Sequence, residues 1–165
     1  PTFDALMDAI GETGIELRAP RPGQTVALAG MRVRFLHPPG DARYSDLNEY
    51  SAVVRVESEW GDLLITGDMT DDVERDLLDE GFPLTADILQ VAHHGSDTSS
   101  SSAFLEAVNP RYAVVQCGRD NSYGHPHTQV LARLEELSVQ LFRTDSDGTV
   151  VFTLTDDGIG VSTAR

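Results

Sequence analysis

The chain has 165 residues, 27 acidic and 12 basic, giving a formal net charge of −15 and a pI near 4.4. All the basic residues are arginine, which excludes a P-loop lysine and Schiff-base chemistry, and the acidity excludes holding nucleic acid through the overall field. Length and a composition of 40% hydrophobic and 24% charged residues fit a soluble globular domain, the single Cys117 excludes an internal disulfide, and no apolar run reaches the roughly 18 residues of a membrane span.

The chain opens at Pro1 straight into a helical pattern, as expected of a piece cut from something longer. Phe3, Leu6, Met7 and Ile10 recur at helical spacing after Thr2, a candidate N-cap, and Gly11 and Gly14 end the pattern. Two strand-like runs follow, 25–28 and 31–36, joined at Ala29-Gly30. Residues 37–50 read as loop. Residues 52–57 and 62–66 read as a hairpin turning at Glu59-Trp60-Gly61. Val73, Leu77 and Leu78 mark a short helix whose acidic run, Asp71 to Glu80, reads as a solvated face. Strands and helices then alternate: strand 86–92, helix 103–108, strand 111–117, and a helix with Val130, Leu131, Leu134 and Leu137 inward. Strands 139–143, 149–154 and 158–163 close the chain. The expected class is α/β: hairpins, then β-α-β-α-β, then an antiparallel end. The strand order is not readable.

Three strand ends carry the unusual residues. One runs into Gly67-Asp68, one into His93-His94-Gly95-Ser96, and one into the loop holding Tyr123-Gly124-His125-Pro126-His127. Ligands of α/β sheets gather at the carboxyl ends of strands, and imidazole with carboxylate suits zinc, manganese or iron(II). Neighbouring strand residues point to opposite faces, so one of His93 and His94 is the expected ligand and the other structural. His37 reads as a structural loop residue and His127 as a helix-start residue. Asp145-Ser146-Asp147-Gly148 is a turn between strands.

The segments LLITGDM, ADILQVAHHGSDTSSSSAFLEAVNPRYAVV, NSYGHPHTQVLARL and FRTDSDGTVVF, in this order, resemble the metallo-β-lactamase-like domain of the ComEC family of DNA-uptake competence proteins. The likeness runs from about residue 52 to residue 154. It implies an αββα sandwich and a hydrolase with a dinuclear metal site of zinc or manganese. Carried over by motif, Asp68 looks like the bridging carboxylate and His94, rather than His93, like the late metal-binding histidine. His125 looks like the substrate-side histidine, a phosphate contact or proton donor. Ser96 of the HHGS block stands beside it as a catalytic candidate, as does Asn48, which with Ser51 matches an N-x-x-S block bordering the site.

The superfamily's first metal motif, H-x-H-x-D-H, is absent from these five histidines. The expectation is a C-terminal portion of the domain, residues 1–165, lacking the first metal-binding half. Alone it should be inactive and bind metal weakly or not at all. An uncovered apolar face should then favour self-association or pairing with the missing N-terminal half. In the parent, the resemblance implies a nuclease or phosphodiesterase acting on single-stranded DNA. The same resemblance implies a soluble domain on the extracytoplasmic side of a membrane protein, touching the membrane only through the rest of that chain. Arg119 and Arg143 are candidates for a local positive track. The alternatives are a soluble metallo-hydrolase of a small phosphoester or thioester, and an interaction domain that has lost its metal.

Overall fold

The computed structural model describes residues 2–41 and 43–164; Pro1, Ala42 of the 37–50 loop and Arg165 lie outside them. Seven strands form one sheet in chain order: β1 (Thr25–Leu28), β2 (Met31–His37), β3 (Val53–Glu57), β4 (Leu63–Ile65), β5 (Ile88–Gln90), β6 (Tyr112–Val115) and β7 (Gln140–Arg143). The first four are antiparallel neighbours, and β4 to β7 are parallel. The change of sense follows from the connections. Among the early strands, short turns link β1 to β2 and β3 to β4, with Ala29 and Gly30 both at positive φ in the first, as a tight hairpin requires; β2 reaches β3 through the longer loop 38–52. Helices α2 (Asp71–Asp79), α3 (Ser102–Val108) and α4 (Thr128–Glu136) link the later ones, because a parallel partner is reached only by a crossover.

Period-two alternation gives the sheet two different faces. Leu64, Leu89 and Ala113 lie in register on one face, where Val73, Leu77, Phe104, Leu105, Val130 and Leu134 of the helices bury them completely or nearly so. Val33, Val56, Leu63, Ile88 and Tyr112 lie in register on the other. That second face meets a separate two-stranded sheet, β8 (Thr149–Thr155) with β9 (Gly158–Ala164). Phe152 of β8 packs edge-on against Tyr112 and Phe142, at ring distances of 5.8 and 6.0 Å. Between this hairpin and the large sheet an open groove of about 900 Å³ remains, and Ile65 on its wall is 38% exposed.

The α/β class and the order of elements match the sequence reading, with β3 to β7 trimmed at their ends and β2, β8 and β9 each one residue longer. Helix α1 (Thr2–Thr13) includes Thr2 and passes through Gly11, to stop at Gly14 with φ +68°. It buries none of its residues, and Phe3 and Leu6 of its apolar stripe are 70% and 57% exposed. Asp145, Ser146 and Asp147 form the single helical turn α5 (Thr144–Asp147) between β7 and β8. Among the described residues no helix is long and apolar enough to cross a membrane.

Two expectations need correction. His93 and His94 do not lie on a strand: β5 ends at Gln90, and both histidines adopt left-handed backbone angles, φ +48° and +57°, in a tight turn. The opposite-face argument therefore fails, and their rings lie 6.4 Å apart. The acidic run of α2 is not wholly solvated either. Glu74 is fully buried, and its carboxylate accepts from the backbone N–H groups of Ser100 and Ser101.

Candidate active site

Asp68 follows a turn that is held from three directions. Thr66 and Gly67 donate their N–H groups to Gln90 Oε1 of the neighbouring strand, both at 3.0 Å. His93 N–H donates to Gly67 O at 3.0 Å. Asp68 N–H donates to Ser51 Oγ at 3.1 Å. Gly67, at φ +57°, lies so close to Ser51 that a Cβ there would stand 3.2 Å from the serine Cβ. The carboxylate is thus carried on a fixed backbone while its oxygens stay half-exposed.

His94 is oriented by a backbone carbonyl just past the end of β6. Its Nδ1–H donates to Gln116 O at 2.7 Å, which leaves Nε2 with its lone pair toward the groove when the ring is neutral. That Nε2 stands 3.5 Å from Asp68 Oδ1. Fixing one ring nitrogen on a carbonyl so that the other points at a ligand is the arrangement found behind metal-bound histidines. His93 is tied elsewhere: its Nδ1 lies 3.3 Å from Thr98 Oγ1.

The third loop closes over both. Gly95, at φ +81°, lets Pro126 approach so near that a Cβ on residue 95 would stand 2.5 Å from the Pro126 Cβ. His127 N–H donates to Gly95 O at 2.9 Å. This seam brings the His125 ring to 5.8 Å from His93, 6.3 Å from His94 and 5.1 Å from His127. Burial, and then the positive charge available on those three histidines, pushes the His125 pKa below its ordinary 6.5. His125 therefore favours the neutral imidazole at neutral pH, able to take a proton from a bound group or to offer its ring N–H as a hydrogen bond.

Asp68, His93, His94 and His125 thus come together. Ser96 and Asn48 do not join them by side-chain contact. Ser96 Oγ is turned into its own loop, 3.0 Å from Thr98 Oγ1, and Ser96 is 95% buried by its 5% exposure. Asn48 lies in a 3₁₀ turn, 47–50, where its N–H donates to Asp46 Oδ1; it is Ser51 of the same block that reaches the site. His37 is structural, buried and bonded to Ser51 O and the Tyr44 hydroxyl. Burial and the bond to Asp76 push that Tyr44 hydroxyl up to about 12. Arg143 is not free to form a positive track, since Asp145 engages its Nε and Nη2. Sequence reasoning missed Gly95 and Gln90. The glycine following two histidines was the available signal for the first; nothing in the local pattern marked the second.

As metal ligands, Asp68 Oδ1 and His94 Nε2 are a suitable oxygen and nitrogen pair. Two ligands do not make a closed site: catalytic zinc takes three from protein, and no group of three or more His, Cys, Asp or Glu able to hold a metal occurs among the described residues. Among the described residues, Asp68 and His94 thus offer two ligands of the kind a metal centre uses.

Fold and site together define a mixed α/β domain with an Asp-His cluster at the carboxyl ends of its parallel strands. Known proteins supply the closer assignment. The chain is 38% identical over 137 residues to Competence protein ComA of Neisseria gonorrhoeae, covering 82% of the chain and 20% of that protein. It is 28% identical over 152 residues to ComE operon protein 3 of Bacillus subtilis (strain 168), covering 92% of the chain and 20% of the relative. It is 30% identical over 136 residues to Recombination protein 2 of Haemophilus influenzae, covering 82% of the chain and 17% of the relative. The chain is thus related to one segment of the ComEC family of competence proteins, and it spans no more than 20% of the length of these relatives. No protein-family model matches it.

Proposed function

We propose that the chain is part of a metal-dependent phosphodiesterase or nuclease domain, of the metallo-β-lactamase-like kind, that serves DNA uptake in a longer protein. The observation that carries this reading is the convergence of His94 Nε2 on Asp68 Oδ1 at 3.5 Å, with His94 Nδ1 committed to a carbonyl. The names of the relatives, two of them competence or recombination proteins, support the link to DNA. Asp68 and His94 would hold part of a divalent metal's coordination, with the remaining ligands from outside the described residues, and the metal would supply Lewis-acid charge and lower the pKa of water. His125, neutral, faces the same space and contacts the leaving phosphate oxygen through its ring N–H. The apolar second face of the sheet, with its open groove, is where the rest of the domain packs, and any membrane attachment belongs to the longer chain.

The test uses the full-length protein with Mn²⁺ or Zn²⁺, comparing single-stranded DNA with a small phosphodiester. Asp68→Ala and His94→Ala should each lower bound metal and reduce cleavage by at least about a hundredfold. Unchanged metal content and unchanged cleavage in both variants would defeat the reading.

A further inference from the structure

The loop that brings His125 to the site also carries an aromatic ring with no structural task. Tyr123 is 77% exposed. Its ring stacks on His125 at 5.7 Å and 25°, and His125 in turn lies nearly parallel to His94, at 6.3 Å and 27°. The three rings form a stepped ladder leading from Asp68 and His94 to the protein surface. Two stacking gaps need about 7 Å, so no third ring fits between Tyr123 and His125. The outer face of Tyr123 is the one open to a planar ligand.

The ladder borders a cavity of about 360 Å³, lined by His94, Gln116, Cys117, Asn121, Tyr123 and His125 among others, within the roughly 300–1,000 Å³ typical of small-molecule sites. The loop is held in place. Asn121 Nδ2 donates to Gly118 O and His125 O, and Asn121 Oδ1 accepts from His125 N–H. His127 accepts from Asp97 N–H through Nδ1, and in that tautomer its Nε2–H donates to Tyr123 O at 3.3 Å. Arg119, in the same loop, donates to Asp145 O and has no carboxylate partner among the described residues. An aromatic face and a cation on one fixed loop, beside a phosphate-directed site, match a nucleotide better than either match alone.

We propose that Tyr123 is a base-stacking platform, so that the nucleobase next to the scissile phosphate lies on its outer face while His125 meets the phosphate. This rests on the phosphodiesterase reading and adds a nucleobase subsite to it. Stacking tolerates any base, so the subsite favours single strands without choosing sequence.

The test compares binding of a ten-residue thymidine oligonucleotide with that of an abasic deoxyribose-phosphate strand of equal length, at low salt, by the full-length protein. Tyr123→Ala should weaken binding of the thymidine strand roughly five- to a hundredfold, Tyr123→Phe should leave it within about twofold, and the abasic strand should bind wild type and Tyr123→Ala alike. No binding by wild type, equal affinity for both strands, or equal loss on both would overturn the platform. The hydrolase reading is scored separately, by the dependence of base-free phosphodiester cleavage on Asp68.

Discussion

The two faces of the large sheet are built from similar residues and reach different ends. Leu64, Leu89 and Ala113 on the helix side are fully buried, locked by three helices that each follow a parallel strand. Leu63 and Ile88, one position away on the same strands, face a two-stranded hairpin and a groove of about 900 Å³. The alternation that makes one face closed necessarily offers a second apolar face, and this chain covers it only in part. The catalytic candidates sit at the rim, where loops fixed by the closed side look out over the open one. Rigidity is supplied from one face and access from the other.

Substitutions at four positions probe that division, the largest effect expected on the closed side. Glu74→Ala removes the acceptor for two N–H groups beside the serine-rich loop and should cost roughly 3 kcal/mol of unfolding free energy, seen in denaturant melts. Burial raises the Glu74 pKa above 4.5 in the fold. The folded state therefore holds that proton more tightly, and this contribution is fully present below about pH 4.5 and lost as pH climbs through the raised folded value. Glu74→Gln should flatten that part of the pH–stability curve. Gly95→Ala forces a side chain into Pro126 at a left-handed backbone position and should cost about 3 kcal/mol. It should also shift the ring resonances of His125 in NMR spectra, since the seam carries that loop; unshifted resonances would mean that the seam does not set its position.

On the open side the costs should shrink. Phe152→Ala loses contact with Tyr112 and Phe142 but sits on a partly exposed layer, so about 2 kcal/mol is expected, below the range for a fully buried phenylalanine. Tyr123→Ala, at the surface, should change stability by no more than about 0.5 kcal/mol. A loss for Phe152→Ala equal to that for Glu74→Ala would show that the hairpin closes the second face more firmly than the groove suggests.

The hairpins and the alternating second half were legible because their signals are local: Ala29-Gly30 between apolar runs, and the inward positions Val130 and Leu134 of α4. The gathering of His93, His94 and His125 was legible from their placement after apolar runs. Glu74 was not, because its partners, Ser100 and Ser101, lie across a helix-to-loop contact and the neighbouring acids of α2 are solvated. The strand order was not legible either, since no local pattern names a strand's neighbour. The His-His turn was misread because two consecutive non-glycine residues at positive φ are costly and are tolerated here only through the tertiary bonds of His93 N–H to Gly67 O and His94 to Gln116 O.

The order β1 to β7 in the sheet has a consequence for how the molecule comes into being. Each strand's neighbour is the one made just before it, so a chain emerging from the ribosome can extend the sheet one edge at a time. Within β1 to β7 no strand has to wait for a distant partner or thread past an earlier one. The β8–β9 hairpin follows β7 and meets a sheet whose seven described strands precede it in the chain.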